Sequence, residues 1–199
     1  MQIDAKPLLA SVGMLLGLIS YIPYYINIFR RKTKPHFFTW FIWSILTTIV
    51  FAAQRSEQAG WGAYVTALAA VTGGFVAVLA LFYGEKTITL TDKISFFIAV
   101  LAIPLWWLTK TPLYSLILIV CISAAAFYPT FRKSWYKPAE ETISLYFIAF
   151  LKFIVTLMAL DQYNVITLLH PIAWLLMNGG FVLYIMWRHW VIKRKNNDH

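Results

Sequence analysis

Long apolar runs separated by short polar breaks extend along the whole of this chain. Each run approaches the roughly 20 apolar residues that a helix needs to cross the hydrocarbon core of a bilayer. The runs lack the strict polar/apolar alternation that marks a half-buried strand, so helices are predicted. The predicted spans cover residues 7–29, 37–54, 60–84, 93–109, 112–133, 141–160 and 164–187. The predicted fold class is therefore an all-α polytopic membrane protein with seven transmembrane helices.

The composition supports this prediction. Only 13% of the residues are charged and 60% are hydrophobic, and the mean hydropathy is +0.68. A soluble domain carries about 25% charged residues. The first span follows Asp4 rather than a basic segment and is too long for a cleaved signal peptide. Since the single Cys121 lies inside a predicted span, neither a disulfide nor a cysteine metal site is expected.

The positive charges are distributed unequally between the two sides of a seven-span topology. One side holds three basic residues, Lys6, Arg55 and Lys110. The other side holds thirteen, namely Arg30, Arg31, Lys32, Lys34, Lys86, Lys93, Arg132, Lys133, Lys137, Arg188, Lys193, Arg194 and Lys195. Because cytoplasmic loops carry the excess of Lys and Arg, the N-terminus is predicted outside and the C-terminus in the cytosol.

This distribution also decides what the net charge of +9 means. The basic tail at residues 188–199 fits an interfacial anchor on anionic lipid better than a nucleic-acid site. The expected partners are the lipid bilayer and a small solute, and no nucleic acid. The compact loops favour a bacterial inner (plasma) membrane, and homo-oligomerisation stays open.

The chain contains an internal repeat with an offset of 106 residues. The offset aligns Pro23 with Pro129, and Gly73-Gly-Phe-Val76 with Gly179-Gly-Phe-Val182. The predicted organisation is a first three-helix repeat (1–84), a linker helix (85–111), a second three-helix repeat (112–187) and the basic tail. Equivalent helices are then four crossings apart, so both repeats run in the same direction. Parallel repeats recur in transporters, with the substrate site at the repeat interface.

Pro23 and Pro129 are predicted hinge residues. Each lies near the cytosolic end of the first helix of its repeat, just ahead of a basic loop. Proline removes a backbone hydrogen bond and kinks a helix, so a symmetric pair would let two helix ends move together. The alternative is that proline is simply tolerated in membrane helices.

The arrangement of three, one and three helices, with these paired prolines, resembles the PQ-loop and SWEET transporter superfamily. The segment P23-Y-Y-I-N-I-F-R-R-K-T-K-P looks like the proline–glutamine turn of that family, although Tyr24 and Thr130 stand at the glutamine positions. The segment N178-G-G-F-V looks like the asparagine-containing part of the last SWEET helix. The resemblance implies an alternating-access carrier with its site between the repeats.

Asn178 and Thr72 are the first candidate substrate-binding residues. They occupy equivalent repeat positions, and each is followed by Gly-Gly. Polar groups at membrane depth are costly, which makes them candidates for function. Facing each other across the repeat axis, they would offer an amide and a hydroxyl to a polar solute. The alternative is interhelical hydrogen bonding without a ligand.

Lys152 is the third candidate, near the middle of the sixth predicted span. About nine residues, or about 14 Å of helix, separate it from either end, which is far for its ammonium to reach the headgroups. It would bind a carboxylate or phosphate of the solute, or else contact backbone carbonyls in a structural role.

Aromatic side chains complete the predicted site. Trp174 lies one helical turn before Asn178 and on the same face. Four further aromatic residues could also stack on a planar or sugar-like solute, namely Tyr24, Trp40, Trp43 and Tyr128. Most other aromatic residues are assigned to the membrane interface and the lipid-facing surface. His170 is a candidate proton-linked switch, with a structural role near the outer interface as the favoured alternative.

The function predicted from the sequence is a facilitative carrier (a uniporter) of a small polar solute such as a sugar, an amino acid or a vitamin precursor. Every carboxylate lies in a loop or at a span end, and motifs for hydrolysis, phosphate binding or metal binding are absent from the sequence. No enzyme activity, cofactor or metal is therefore expected. The alternative is a receptor or trafficking protein, similar in architecture to the KDEL receptor, that binds a carboxylate-bearing ligand without transporting it.

Overall fold

The computed structural model describes residues 5–85, 90, 93–94, 96–97, 104, 112–136 and 138–197. This part of the chain forms six long helices and contains no strand. The helices are α1 (Lys6–Phe29), α2 (Phe37–Ser56), α3 (Gly62–Tyr83), α4 (Pro112–Tyr136), α5 (Ile143–Met158) and α6 (Val165–Asn197), with a short 3-10 turn at Pro138–Glu140. The prediction of an all-helical chain is confirmed.

Five of the described helices are long and apolar enough to cross a membrane, namely α1, α2, α3, α4 and α6. Their length and composition indicate an integral membrane protein. Helix α5 has 16 residues, about 24 Å, which is shorter than the roughly 30 Å hydrocarbon core. The predicted span at 93–109 lies largely outside the described residues, although positions 93, 94, 96 and 97 are helical.

At each end of the helix bundle, polar contacts join neighbouring helices. At one end, called the Asp161 end, Lys6 Nζ lies 3.1 Å from Asp161 Oδ1. At the other, called the Glu141 end, Asn27 Nδ2 donates to Thr142 Oγ1 at 3.0 Å. Helices α1, α3, α4 and α6 run from the Asp161 end to the Glu141 end, and α2 and α5 run in the opposite direction.

We refer to α1–α3 as the first helix group and to α4–α6 as the second, by their order in the chain, although α1 packs more extensively against α5 than against α3. In the first group α3 packs against both α1 and α2, and in the second group α6 packs against both α4 and α5. Between the groups, α1 contacts α5 and α2 contacts α4, while α2 also contacts α6 and α3 contacts α5. The interior of the bundle thus lies between α1, α2 and α3 on one side and α4, α5 and α6 on the other.

Helix α1 shows how the sequence directs this packing. Its buried face carries small residues, and a Cβ added at Gly17 would lie 3.4 Å from Cδ of Lys152 on α5. Its opposite face is apolar and exposed, with Leu8, Leu15, Ile22 and Phe29 spaced two turns apart. An apolar stripe of this size is unusual on a soluble monomer and suits contact with lipid.

Candidate functional site

A cavity of about 70 Å³ lies between the two helix groups. A cavity needs at least about 10–15 Å³ to hold one water molecule, so this cavity has room for several waters or a small solute. Each group contributes eight lining residues. They are Ser20, Tyr21, Trp40, Trp43, Ser44, Thr47, Ala69 and Gly73 from the first group, and Leu145, Tyr146, Ala149, Lys152, Phe153, His170, Trp174 and Asn178 from the second.

Lys152 lines this cavity and is 6% exposed. Its stem packs against α1, where glycine at position 17 leaves room for it. The ammonium Nζ lies 4.3 Å from the centroid of the Phe153 ring, a cation–π contact. It makes no hydrogen bond or ion pair with any described residue. Lys152 is therefore a buried cation whose only described polar contact is the face of an aromatic ring.

The carboxylates that could have paired with Lys152 are engaged elsewhere. Asp161 pairs with Lys6, and Glu57 Oε2 accepts a hydrogen bond of 3.3 Å from Asn164 Nδ2. These contacts lie at the Asp161 end of the bundle. At the other end, the Tyr146 hydroxyl donates to Glu141 Oε2 at 3.3 Å. No carboxylate lines the cavity in the part of the chain that the structure describes.

His170 is a second basic side chain on the cavity wall, and it is 3% exposed. Its Nδ1 is buried and has no hydrogen-bond partner among the described residues. The ring lies between two aromatic neighbours, with centroid distances of 6.2 Å to Phe153 and 6.1 Å to Trp174. His170 lines the same cavity as Lys152, and its two predicted roles, a proton-linked switch or a structural residue near the outer interface, stay predictions.

Trp174 forms the aromatic wall of the cavity, as its predicted role requires. Its ring lies parallel to Phe153, with centroids 6.2 Å apart and an interplanar angle of 12°. The Trp43 ring meets it edge-on at 5.0 Å. Trp43 is itself held in place, because its Nε1 donates to Ser123 O at 3.4 Å. The wall joins both helix groups through these two tryptophans.

Asn178 also lines the cavity and is 3% exposed. Its Nδ2 donates to Trp174 O, one turn earlier on α6, at 2.7 Å. Its Oδ1 makes no hydrogen bond to a described residue and is the remaining acceptor of this amide. Asn178 thus presents an acceptor next to the aromatic wall.

Two of the predicted binding residues do not line the cavity. The Thr72 hydroxyl donates to its own helix, at Leu68 O (2.9 Å) and Ala69 O (3.1 Å), and borders a narrow crevice between α1 and α3. Tyr24 packs on Trp40 with ring centroids 5.4 Å apart and is 2% exposed. Of the predicted pair, Asn178 lines the cavity and Thr72 does not. Threonine reaches its own backbone carbonyls, and this hydroxyl does so.

The remaining predicted residues keep their status as predictions. Pro23 lies inside α1, which is continuous from Lys6 to Phe29. Tyr128 and Pro129 belong to α4, and their side chains lie outside the described part of the structure.

Helix α2 supplies four lining residues, of which Ser44 and Thr47 were missed from the sequence, whereas Trp40 and Trp43 were among the predicted stacking residues. Trp40, Trp43, Ser44 and Thr47 follow the spacing i, i+3, i+4 and i+7 and therefore share one face of α2. That spacing was the available signal. Ser44 Oγ donates to Ala70 O at 2.9 Å and so joins α2 to α3.

No group of three or more His, Cys, Asp or Glu residues able to hold a metal ion occurs in the described part of the chain. Comparisons with protein-family models, with curated proteins and with solved structures find no match to this chain.

Proposed function

We propose that this protein is a facilitative carrier of a small polar solute that works by alternating access. The two helix groups would move relative to each other about the cavity. The observation that carries this proposal is the cavity itself, because it lies between the groups and each group supplies half of its lining residues. Transporters built from parallel repeats bind substrate at such an interface.

The internal repeat gives this cavity a pseudo-twofold character. Trp40 and Tyr146 are 106 positions apart, as are Trp43 and Ala149, and all four line the cavity. Thr47 and Phe153 form a third such pair. Equivalent helices of the two groups are also parallel, and the packing of α3 between α1 and α2 matches that of α6 between α4 and α5. These features support two copies of a three-helix unit around one axis.

The chain connection between the copies supports a seventh, linking helix. Helix α3 ends at the Glu141 end, where Glu85 N donates to Pro35 O at 3.1 Å. Helix α4 begins at the opposite end, since Leu116 packs with Val50 and Ala53 of α2. Helix α3 therefore ends, and helix α4 begins, at opposite ends of the bundle, as the proposed return crossing requires.

The distribution of basic residues supports an orientation with the Glu141 end in the cytosol. The loop between α1 and α2, residues 30–36, lies at that end and carries four of them. Arg188 lies there as well, with its guanidinium 4.2 Å from the Trp135 ring. By the positive-inside rule this places the N-terminus outside, in a membrane that we propose to be a bacterial plasma membrane.

Contacts across the groups close the bundle at both ends. At the Asp161 end, the Lys6–Asp161 ion pair is accompanied by a hydrogen bond of 3.2 Å from Asp161 N to Ala59 O. At the other end, the hydroxyls of Thr33 and Thr142 lie 3.1 Å apart. Opening one set of contacts while the other stays closed would expose the cavity to one side at a time. Because no described carboxylate lines the cavity, uniport is the simplest form of this mechanism.

Uptake by proteoliposomes tests the proposal. Purified full-length protein would be reconstituted and offered labelled sugars, amino acids and vitamin precursors. We expect at least one solute to enter faster than into protein-free liposomes. Replacing Asn178 by Ala should slow that uptake about 2- to 12-fold, the effect of losing one hydrogen bond of about 0.5–1.5 kcal/mol.

The matched control is Gln162→Ala, because the Gln162 side chain is exposed at the Asp161 end and does not line the cavity. Uptake that Asn178→Ala leaves at the wild-type rate would remove Asn178 from the site. A solute that binds without entering the liposomes would instead favour the receptor alternative.

A further inference from the structure

We propose that the cavity binds a small organic monocarboxylate, with the carboxylate on the Lys152 ammonium. The inference rests on the proposed carrier function, whose solute class it specifies. Its starting point is that Lys152 is more than nine-tenths buried, lines the cavity and has no hydrogen-bond or ion-pair partner among the described residues.

A buried ammonium without a counterion is expensive, because the interior cannot replace its hydration. The usual solution within a protein is a carboxylate, and the described carboxylates near the bundle interior are engaged at its two ends. The Phe153 ring at 4.3 Å compensates only part of the lost hydration. An anionic group of the solute supplies the missing counterion.

The charge of the cavity favours a monoanion. Lys152 is the one Lys, Arg, Asp or Glu among the described lining residues. A bound carboxylate makes the pair neutral, whereas a phosphate monoester carries about −1.5 to −2 at neutral pH and leaves an excess negative charge. Excess charge is costly in a site of low dielectric constant. The chemistry therefore selects a carboxylate over a phosphate.

Two further groups can complete the recognition of the solute. His170 Nδ1 is buried without a hydrogen-bond partner, and the His170 ring lies on the same Phe153 ring that Lys152 approaches. With its proton on Nε2, the ring nitrogen that is not fully buried, the imidazole donates to the second carboxylate oxygen. The free Oδ1 of Asn178 accepts a hydrogen bond from a hydroxyl or amine of the solute.

The other lining residues indicate what kind of solute body the cavity can accept. Trp43, Trp174 and Phe153 present aromatic surface to the cavity. Ala149, which the offset of 106 residues aligns with Trp43, has a much smaller side chain and leaves space in the second helix group. A volume of about 70 Å³ admits only a small molecule. A short carboxylate with a planar or apolar body, such as benzoate, matches this wall and serves as the probe.

The first experiment compares ligands on the unmodified protein. The full-length chain in lipid nanodiscs would be titrated with benzoate, with its neutral isostere benzamide and with inorganic phosphate. Tryptophan fluorescence reports binding, because Trp40, Trp43 and Trp174 line the cavity. We expect saturable binding of benzoate, and binding of benzamide and of phosphate at least 10-fold weaker. Equal affinity for benzoate and benzamide would overturn the inference.

The second experiment changes the cation. Lys152→Met keeps the length of the side chain and should weaken benzoate binding at least 10-fold, while Lys152→Arg keeps the charge and should retain most of the affinity. The control is Lys34→Met, which removes an exposed lysine outside the cavity. Undiminished benzoate binding by Lys152→Met would overturn the inference. If that variant fails to fold, the comparison of benzoate with benzamide on the unmodified protein still decides whether the cavity recognises a carboxylate.

Flux measurements separate this inference from the proposed function. Benzoate that binds through Lys152 but enters proteoliposomes no faster than protein-free ones would refute the carrier function and leave the carboxylate site intact. Facilitated flux of a neutral solute, together with benzoate that binds no more tightly than benzamide, would refute the carboxylate site and support the carrier.

Discussion

At the scale of single residues, the chemistry of the cavity depends on Lys152 and its surroundings. Glycine at position 17 gives the lysine stem its place beside α1. The aromatic neighbours Phe153 and Trp174 supply no negative charge. The ligand-free protein therefore carries an electrostatic cost that a suitable solute can relieve.

This cost leads to a prediction about stability. Lys152→Met should raise the free energy of unfolding of the ligand-free protein by about 1–3 kcal/mol, because methionine fills a similar volume and removes an unpaired polar group. Denaturant or thermal unfolding in detergent measures it. Lys34→Met should change stability by less than about 0.5 kcal/mol, as an exposed substitution. A loss of stability in Lys152→Met would mean that the ammonium already has a counterion.

Sequence reasoning identified the unusual residue but not its environment. Lys152 stands out because it interrupts an apolar run. Its lack of a partner follows only from the positions of distant carboxylates such as Asp161, which the linear sequence does not give. Asn178 and Thr72 occupy equivalent repeat positions, yet only Asn178 faces the cavity. The Thr72 hydroxyl instead donates to its own helix, at Leu68 O.

At the scale of secondary-structure elements, the short turn between α2 and α3 holds the two helix groups together. Gly60 has a φ of +66°, a conformation that residues with a side chain rarely adopt. Ala59, beside it, accepts the hydrogen bond from Asp161 N. A Cβ at Gly60 would also collide with the Asp161 carboxylate. Glycine at this position allows the turn and the opposite loop to meet.

Gly60→Ala should therefore destabilise the protein by about 2 kcal/mol or more, through backbone strain and the clash with Asp161. The matched control is Gly180→Ala on α6, where an added Cβ meets nothing within 4 Å. That control should be neutral or slightly stabilising, since alanine favours a helix over glycine by about 1 kcal/mol. Equal unfolding midpoints for the two variants would contradict this account of the turn.

The helices themselves were largely predictable, and their deviations have physical reasons. Apolar runs gave the position of all six described helices. Helix α6 extends to Asn197, ten residues past its predicted end at 187, because lysine and arginine are good helix formers although they are polar. Arg188 is also anchored, with its Nε donating to Trp135 O at 2.8 Å. Polarity marked the end of the apolar span rather than the end of the helix.

At the scale of the whole molecule, the contacts that close the two ends are individually weak. The Lys6 and Asp161 side chains are 33% and 34% exposed, and an exposed ion pair contributes about 0–1 kcal/mol. Each hydrogen bond at the opposite end contributes about 0.5–1.5 kcal/mol. Either end could therefore open at modest cost. The offset in the sequence predicts two three-helix repeats, whereas the packing of α1 against α5 and of α2 against α4 required the structure.

Distances across the two ends test the central claim, that the helix groups open alternately around the cavity. Spin labels would replace Ser56 and Gln162 at the Asp161 end, and Lys32 and Ala139 at the Glu141 end, since all four are exposed. The exposed Cys121 would first be changed to Ser. Pulsed electron–electron double resonance would be recorded in nanodiscs with and without transported solute. Each pair of labels should give two distances, and the distance at one end should lengthen as the distance at the other end shortens. A single distance at both ends, unchanged by solute, would contradict alternating access.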